Sequence, residues 1–162
     1  MFVVDTNILI YGADMDSPEH GRCREYLDQW RAQTTPWYVT WGIVYEFLRV
    51  VTHARVLNHP FSMSDAWSFL NALFASPSLR VLEETDRHRH VAAEVFAEVQ
   101  GISGNLVFDA HTAILMRENG IRKIYTRDMD FNRFPFVDVI DPITGELRTT
   151  KVKKSARTRK KK

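Results

Sequence analysis

Phe2-Val3-Val4-Asp5-Thr6-Asn7-Ile8-Leu9-Ile10-Tyr11-Gly12 decides how this chain folds. Phe2, Val3 and Val4 are β-prone, and they are too few for anything but a short central strand. Asp5 ends the run, and Thr6 and Asn7 supply polar groups where a helix can begin. In an open parallel sheet, ligands bind outside the carboxyl ends of the strands, so Asp5 stands where chemistry is expected. The same residue would serve as a helix N-cap. This stretch alone leaves the two roles open.

Downstream, short strands alternate with amphipathic helices. Ser17 and Pro18 fit an N-cap and first helical position, and the pattern predicts a helix over residues 18–33, ended by Thr34-Thr35-Pro36. Trp37-Tyr38-Val39-Thr40 reads as a second strand, followed by an apolar helix over 41–55. A further helix from residue 63 or 64 carries a core stripe of Ala66, Trp67, Leu70, Leu73 and Phe74. Leu79-Arg80-Val81-Leu82 is the third strand. A helix over 86–100 presents Val91, Val95, Phe96 and Val99 inward, and one over 106–119 is closed by Gly120. Strands at 123–126 and 136–140 follow, then a turn or small hairpin at 142–147. Such alternation predicts a three-layer α/β/α sandwich around a mostly parallel, roughly five-stranded sheet. One domain over residues 1–145 is expected, with a basic tail over 146–162 expected to be disordered.

The 162 residues, 44% hydrophobic and 12% aromatic, suit one globular domain. No apolar run approaches the roughly 20 residues of a membrane-spanning helix, and the start has no secretory pattern. A cytoplasmic protein without membrane contact is expected. The one cysteine, Cys23, excludes an internal disulfide framework and falls on a helical face with Tyr26, Leu27 and Trp30. The six histidines form no HExxH pattern and have no cysteine partners, which speaks against a zinc site. The net charge of +2 conceals an asymmetry. Lys151, Lys153, Lys154, Arg157, Arg159, Lys160, Lys161 and Lys162 leave 14 basic against 20 acidic residues in the body, about −6. The tail is a solubilising run or an electrostatic contact for a polyanion.

Four carboxylates lie where a surface acid would not. Asp5 follows Phe-Val-Val, Glu46 sits inside Ile43-Val44-Tyr45-Glu46-Phe47-Leu48, Asp109 follows Leu106-Val107-Phe108, and Asp128 comes just past Ile124-Tyr125-Thr126. Singly, each has an ordinary explanation: a snorkelling glutamate, a helix-dipole aspartate, a turn cap. Jointly they imply partly buried like charges, which cost several kcal/mol per ion unless protonated or matched by cations. No lysine or arginine is built into the apolar segments around Asp5, Glu46 or Asp109. A divalent cation is the simplest remedy, and oxygen ligands favour Mg²⁺ or Mn²⁺.

Val3-Val4-Asp5-Thr6-Asn7-Ile8-Leu9-Ile10, the isolated Glu46, Asn105-Leu106-Val107-Phe108-Asp109-Ala110-His111 and Thr126-Arg127-Asp128-Met129-Asp130-Phe131 together resemble the PIN domain. In length and in the form of these motifs the resemblance is to the VapC ribonuclease toxins, over about residues 1–140. It implies a Mg²⁺- or Mn²⁺-dependent endoribonuclease acting on RNA as the toxin of a toxin–antitoxin pair, commonly a homodimer and inhibited by a cognate antitoxin. It puts the catalytic, metal-holding acids at Asp5, Glu46, Asp109 and Asp128. Asn7 and Thr126 match positions that orient those acids or a metal-bound water, and Asp130 is a further ligand or a turn residue. The tail has no counterpart in the family pattern. A housekeeping RNA-processing nuclease and a catalytically inert RNA-binding protein are the competing readings. A haloacid-dehalogenase-like phosphatase is set aside, because Asn7 stands where its second acid belongs. Trp37, Tyr38, Trp41 and Trp67 are read as core or partner interface before base-stacking groups.

Overall fold

A computed structural model describes residues 1–149. The elements in chain order are β1 (Val3–Val4), α1 (Thr6–Ala13), α2 (His20–Ala32), β2 (Trp37–Thr40), α3 (Trp41–Val51), α4 (Met63–Phe74), β3 (Leu79–Leu82), α5 (His88–Glu98), α6 (Leu106–Glu118), β4 (Lys123–Tyr125), β5 (Asp138–Ile140) and β6 (Leu147–Thr149). A short 3₁₀ helix, Asp130–Arg133, precedes β5. The strands form one sheet in the order β3-β2-β1-β4-β5-β6, parallel from β3 to β5, with β6 antiparallel on β5.

A two-residue strand can sit at the centre of this sheet because Val3 and Val4 are both fully buried. A strand covered on both faces needs no polar alternation. Val3 lies opposite Tyr38 on one side and Ile124 on the other, and Val4 opposite Tyr125. The ladder continues one residue further, where the Asp5 N–H donates to the Tyr125 carbonyl at 3.0 Å. An aromatic cluster backs this seam: Trp30 meets Phe2 and Tyr125 at centroid distances of 5.0 and 4.7 Å. Such contacts add about 0.5–1.5 kcal/mol per pair beyond area burial. Cys23 is buried in the same helix as Trp30, as its helical face predicts.

From β1 the chain moves outward through β2 to β3. It then crosses back to β4, on the other side of β1, and continues to β5. Right-handed crossovers put α1–α4 on one face and α5–α6 on the other. The packing agrees: α1 contacts α2 and α3, α3 contacts α4, and α5 contacts α6. The winding direction therefore reverses between β1 and β4, and the crevice outside their carboxyl ends is where such sheets bind ligands. Gly12 lets α1 approach α2 closely, since a Cβ there would stand 2.4 Å from Leu27 Cδ1. Gly120, at φ +67°, closes α6 as predicted, with the Ile121 N–H donating to the Met116 carbonyl at 2.9 Å.

Several expectations shift. The sheet has six strands, not roughly five, because residues 147–149 pair along β5 and carry the folded body past residue 145. Helix α2 starts at His20: Ser17 bonds Glu19 locally and leaves the helix without a side-chain cap. Helix α3 ends at Val51, short of residue 55. Trp67 and Phe96 face outward, 40% and 49% exposed, because their helices bury narrower stripes than the apolar content suggests. Among the described residues, no helix is long and apolar enough to cross a membrane.

Candidate active site

Five residues from four separate segments meet at the β1–β4 crevice. Asp5 arrives at the end of β1, Asn7 in the first turn of α1, Glu46 from the middle of α3, Asp109 from the start of α6 and Asp128 from the loop after β4. All five line one cleft of about 710 Å³. The spatial convergence required of the four acids is therefore present.

Asp5 caps α1 and also lines the cleft. Its Oδ1 accepts the Thr6 N–H at 2.8 Å and starts α1. Its Oδ2 accepts the Asn7 amide at 2.6 Å and the Thr126 hydroxyl at 2.5 Å. Thr126 is fully buried beneath the cleft. Its oxygen also accepts from the Asn7 amide at 2.9 Å and from the Asp128 N–H at 2.9 Å. The Asn7 side-chain Oδ1 in turn accepts the Arg127 backbone N–H at 3.3 Å. One hydroxyl and one amide thus tie the ends of β1 and β4 together.

Glu46 is more open. Its Oε2 accepts the Thr6 hydroxyl at 3.0 Å, and its Oε1 lies 3.3 Å from the Arg49 guanidinium. The expectation that no cation accompanies these acids needs this correction. Arg49 follows Glu46 by three residues, on the same side of the helix and at the cleft. Asp130 is exposed and outside the cleft lining, and its N–H donates to Asp128 Oδ1 at 2.8 Å. That is a turn contact, although its charge is still felt at Asp109. The eight tail cations from Lys151 to Lys162 lie outside the described residues.

Residues that the sequence did not single out also face the cleft. Tyr45 and Phe108 line it and are 65% and 70% exposed, whereas Trp37 is buried in the core. Each stands one position before an acid, Glu46 or Asp109, and that adjacency was the available signal. His111 lines the cleft as well.

Charge at this site is poorly compensated. Burial pushes the Asp5 carboxyl up to about 6; hydrogen bonds from Thr126 and Thr6 oppose the rise, and the charges of Asp128 and Glu46 add to it. Burial also pushes Asp109 up to about 7, reinforced by the charges of Asp128, Asp5, Glu46 and Asp130. Asp109 accepts no hydrogen bond from any described residue.

Residues 2–137 match the PIN domain. The chain belongs to the PIN-domain family. Among its relatives, ribonuclease VapC48 of Mycobacterium tuberculosis is 30% identical over 141 residues, which is 87% of this chain and 97% of that protein. Ribonuclease VapC43 of the same organism is 32% identical over 146 residues, 90% and 98% of the two chains. The fold is shared with VapBC2 of Rickettsia felis, solved bound to a promoter DNA fragment, at a TM-score of 0.62 and 15% identity over 85% of this chain and 96% of that one. The resemblance carried by the four motifs thus holds across the chain.

The PIN-domain cleft suits a hard divalent cation on the chemistry of its donors. The four carboxylates offer oxygens only, and Asp5 Oδ1, with one hydrogen bond, keeps a lone pair. Asp109 offers a carboxylate without a protein partner among the described residues. Arg49, bonded to Glu46, is the one lysine or arginine in the described lining.

Proposed function

We propose that this PIN domain is a Mg²⁺- or Mn²⁺-dependent endoribonuclease that hydrolyses phosphodiester bonds of RNA, as the toxin of a toxin–antitoxin pair. The supporting observation is the convergence of Asp5, Glu46, Asp109 and Asp128 on one cleft at the β1–β4 crevice. Kinship with VapC proteins named as ribonucleases supports the same reading.

Asp5 and Asp109 would hold the ion, while Glu46 and Asp128 complete the acidic wall. When bound, a divalent ion activates water and stabilises charge on the leaving oxygen. Asn7 and Thr126 hold Asp5 in one orientation, so its free lone pair faces the cleft. Arg49 stands at the same wall and can pair with a substrate phosphate. Tyr45 and Phe108 present exposed rings beside the acids, where unpaired bases can stack. Residues 151–162, with eight cations and no acid, supply attraction for RNA phosphate that the acidic cleft lacks.

The partner reading is an antitoxin protein and a second copy of the chain. Exposed Trp41 on α3, and Met63 and Trp67 on α4, offer apolar surface for such contacts.

The deciding experiment incubates the full chain with single-stranded RNA and Mg²⁺ or Mn²⁺, with and without EDTA. Cleavage that requires the ion is expected. Cleavage indifferent to EDTA, or none with either ion, overturns the reading. Growth arrest on expression, relieved by co-expressing an antitoxin gene found next to this one, tests the toxin role separately.

A further inference from the structure

A second ligand-bearing cluster lies beside the acidic cleft and differs from it in chemistry. Glu84 in the loop after β3, His88 at the start of α5 and His111 on α6 each bring one ligand atom within 4.8 Å of the other two. His111 Nε2 stands 3.3 Å from Glu84 Oε1, and His88 Nε2 stands 3.9 Å from the same oxygen. A tetrahedral ion with bonds of about 2.1 Å separates its ligands by roughly 3.4 Å. These spacings therefore need only small side-chain adjustments to accept one.

The neighbours of His88 supply an independent sign. Its Nδ1 bonds Glu118 Oε2 at 2.8 Å, and the Glu118 side chain is 0% exposed. Glu118 Oε1 accepts the Thr85 hydroxyl at 2.8 Å. Burial alone would raise the Glu118 carboxyl, but the bonds from His88 and Thr85 outweigh it and hold it below its usual range. An ionised Glu118 can only accept, so Nδ1 of His88 carries a proton, which leaves Nε2, on the side of Glu84, as the atom free to ligate. A buried carboxylate that fixes the tautomer of a ligating imidazole is the usual support of a metal-binding histidine.

We propose that Glu84, His88 and His111 form a second metal site, for Zn²⁺ or another transition ion that favours imidazole, with Glu118 positioning His88. Two imidazoles and one carboxylate select such an ion, whereas the four carboxylates of the cleft offer only oxygen and select Mg²⁺ or Mn²⁺. Glu84 and His111, with side chains 61% and 38% exposed, leave an entry path from solvent. The bound ion joins α5 to α6 two residues from Asp109, and so braces the helix that carries that acid. The histidine spacing in the sequence speaks against zinc, because no local motif announces ligands spread from residue 84 to residue 111.

The test does not pass through RNA cleavage. The full chain, stripped with EDTA and returned to millimolar Mg²⁺, is titrated with Zn²⁺ by calorimetry. One Zn²⁺ per chain is expected. Affinity should fall at least about 100-fold in His111→Gln and about 10- to 100-fold in Glu118→Gln, and stay unchanged in Asp109→Asn. Thermal melts of each variant without Zn²⁺ check folding. At a hundredfold excess over Kd, Zn²⁺ should raise the Tm of the unaltered protein by about 5–10 °C. Co²⁺ in its place should give the intense visible bands of a four-coordinate ion. Absence of stoichiometric Zn²⁺ binding overturns the proposal, leaving His88–Glu118 as a plain helix staple. So does binding retained by a His88→Gln/His111→Gln double variant, or lost in Asp109→Asn.

Discussion

Two corners of this molecule, one residue apart in sequence, handle negative charge in opposite ways. Arg127 turns its guanidinium toward Glu19, with which it forms an ion pair, and toward Asp141 at 3.7 Å. On the far helices, Arg117 likewise serves both Glu94 and Glu98. Asp128 and its companions Asp5 and Asp109 receive no such cation among the described residues, and only Glu46 has Arg49 beside it. The chain has arginines at hand and directs them elsewhere. A protein selected only for stability would neutralise a buried acid cluster, so the charge left in the cleft supports the proposed cation site.

The largest test of that contrast is chemical. Asp5→Asn keeps a hydrogen-bonding side chain at the start of α1 but removes the charge. RNA cleavage in Mg²⁺ should fall about 100-fold or more, with an unchanged circular dichroism spectrum. Cleavage within a few-fold of the unaltered protein would remove Asp5 from the site.

A smaller effect concerns stability and has a definite sign with pH. Asp109 titrates at about 7 in the folded protein and at 3.8 as a free side chain, so the folded state binds the proton more tightly. The resulting stabilisation is fully present below about pH 4 and is lost as pH rises through 7. Asp109→Asn should therefore leave urea stability in EDTA unchanged at pH 4 and raise it by roughly 1–3 kcal/mol at pH 8. Added Mg²⁺ should stabilise the unaltered protein and not the variant. A variant that is less stable at pH 8 would mean Asp109 is already compensated.

The smallest effect belongs to the opposite corner. Arg127→Ala breaks ion pairs that are partly open to solvent, and it should cost about 1 kcal/mol or less. Cleavage should stay within about twofold. A large loss of cleavage would mean that Arg127 serves the cleft after all.

Much of the fold and of the acidic cleft is legible in the amino-acid sequence itself. Val3 and Val4 can only be a buried central strand, and the acids that interrupt apolar runs identify their own segments. Gly120 announces the end of α6. What stays hidden depends on neighbours distant in sequence. Residues 147–149 lack a strong strand pattern, and only pairing along β5 makes them a strand. Trp67 and Phe96 look like core because hydrophobicity does not specify which way a helix is rotated. Arg49 is within reach at helical spacing from Glu46, but the apolar character of the segment as a whole obscures it. The Glu84–His88–His111 cluster requires α5 to lie on α6, a contact that no spacing encodes.

The hydrogen bonds around Thr126 have a direction. The Asn7 amide and the Asp128 N–H donate to the Thr126 oxygen, so its single hydroxyl proton is left for Asp5. The Asn7 amide and the Thr6 N–H also point at Asp5. The three side-chain and backbone bonds that reach Asp5 all donate to its carboxylate, which suits the anion. The donors from Asn7 and Thr126 converge on Oδ2, while Oδ1 takes only the Thr6 N–H and keeps a lone pair free. One oxygen of the first acid thus holds the ends of the two strands together, and the other is left for the cleft.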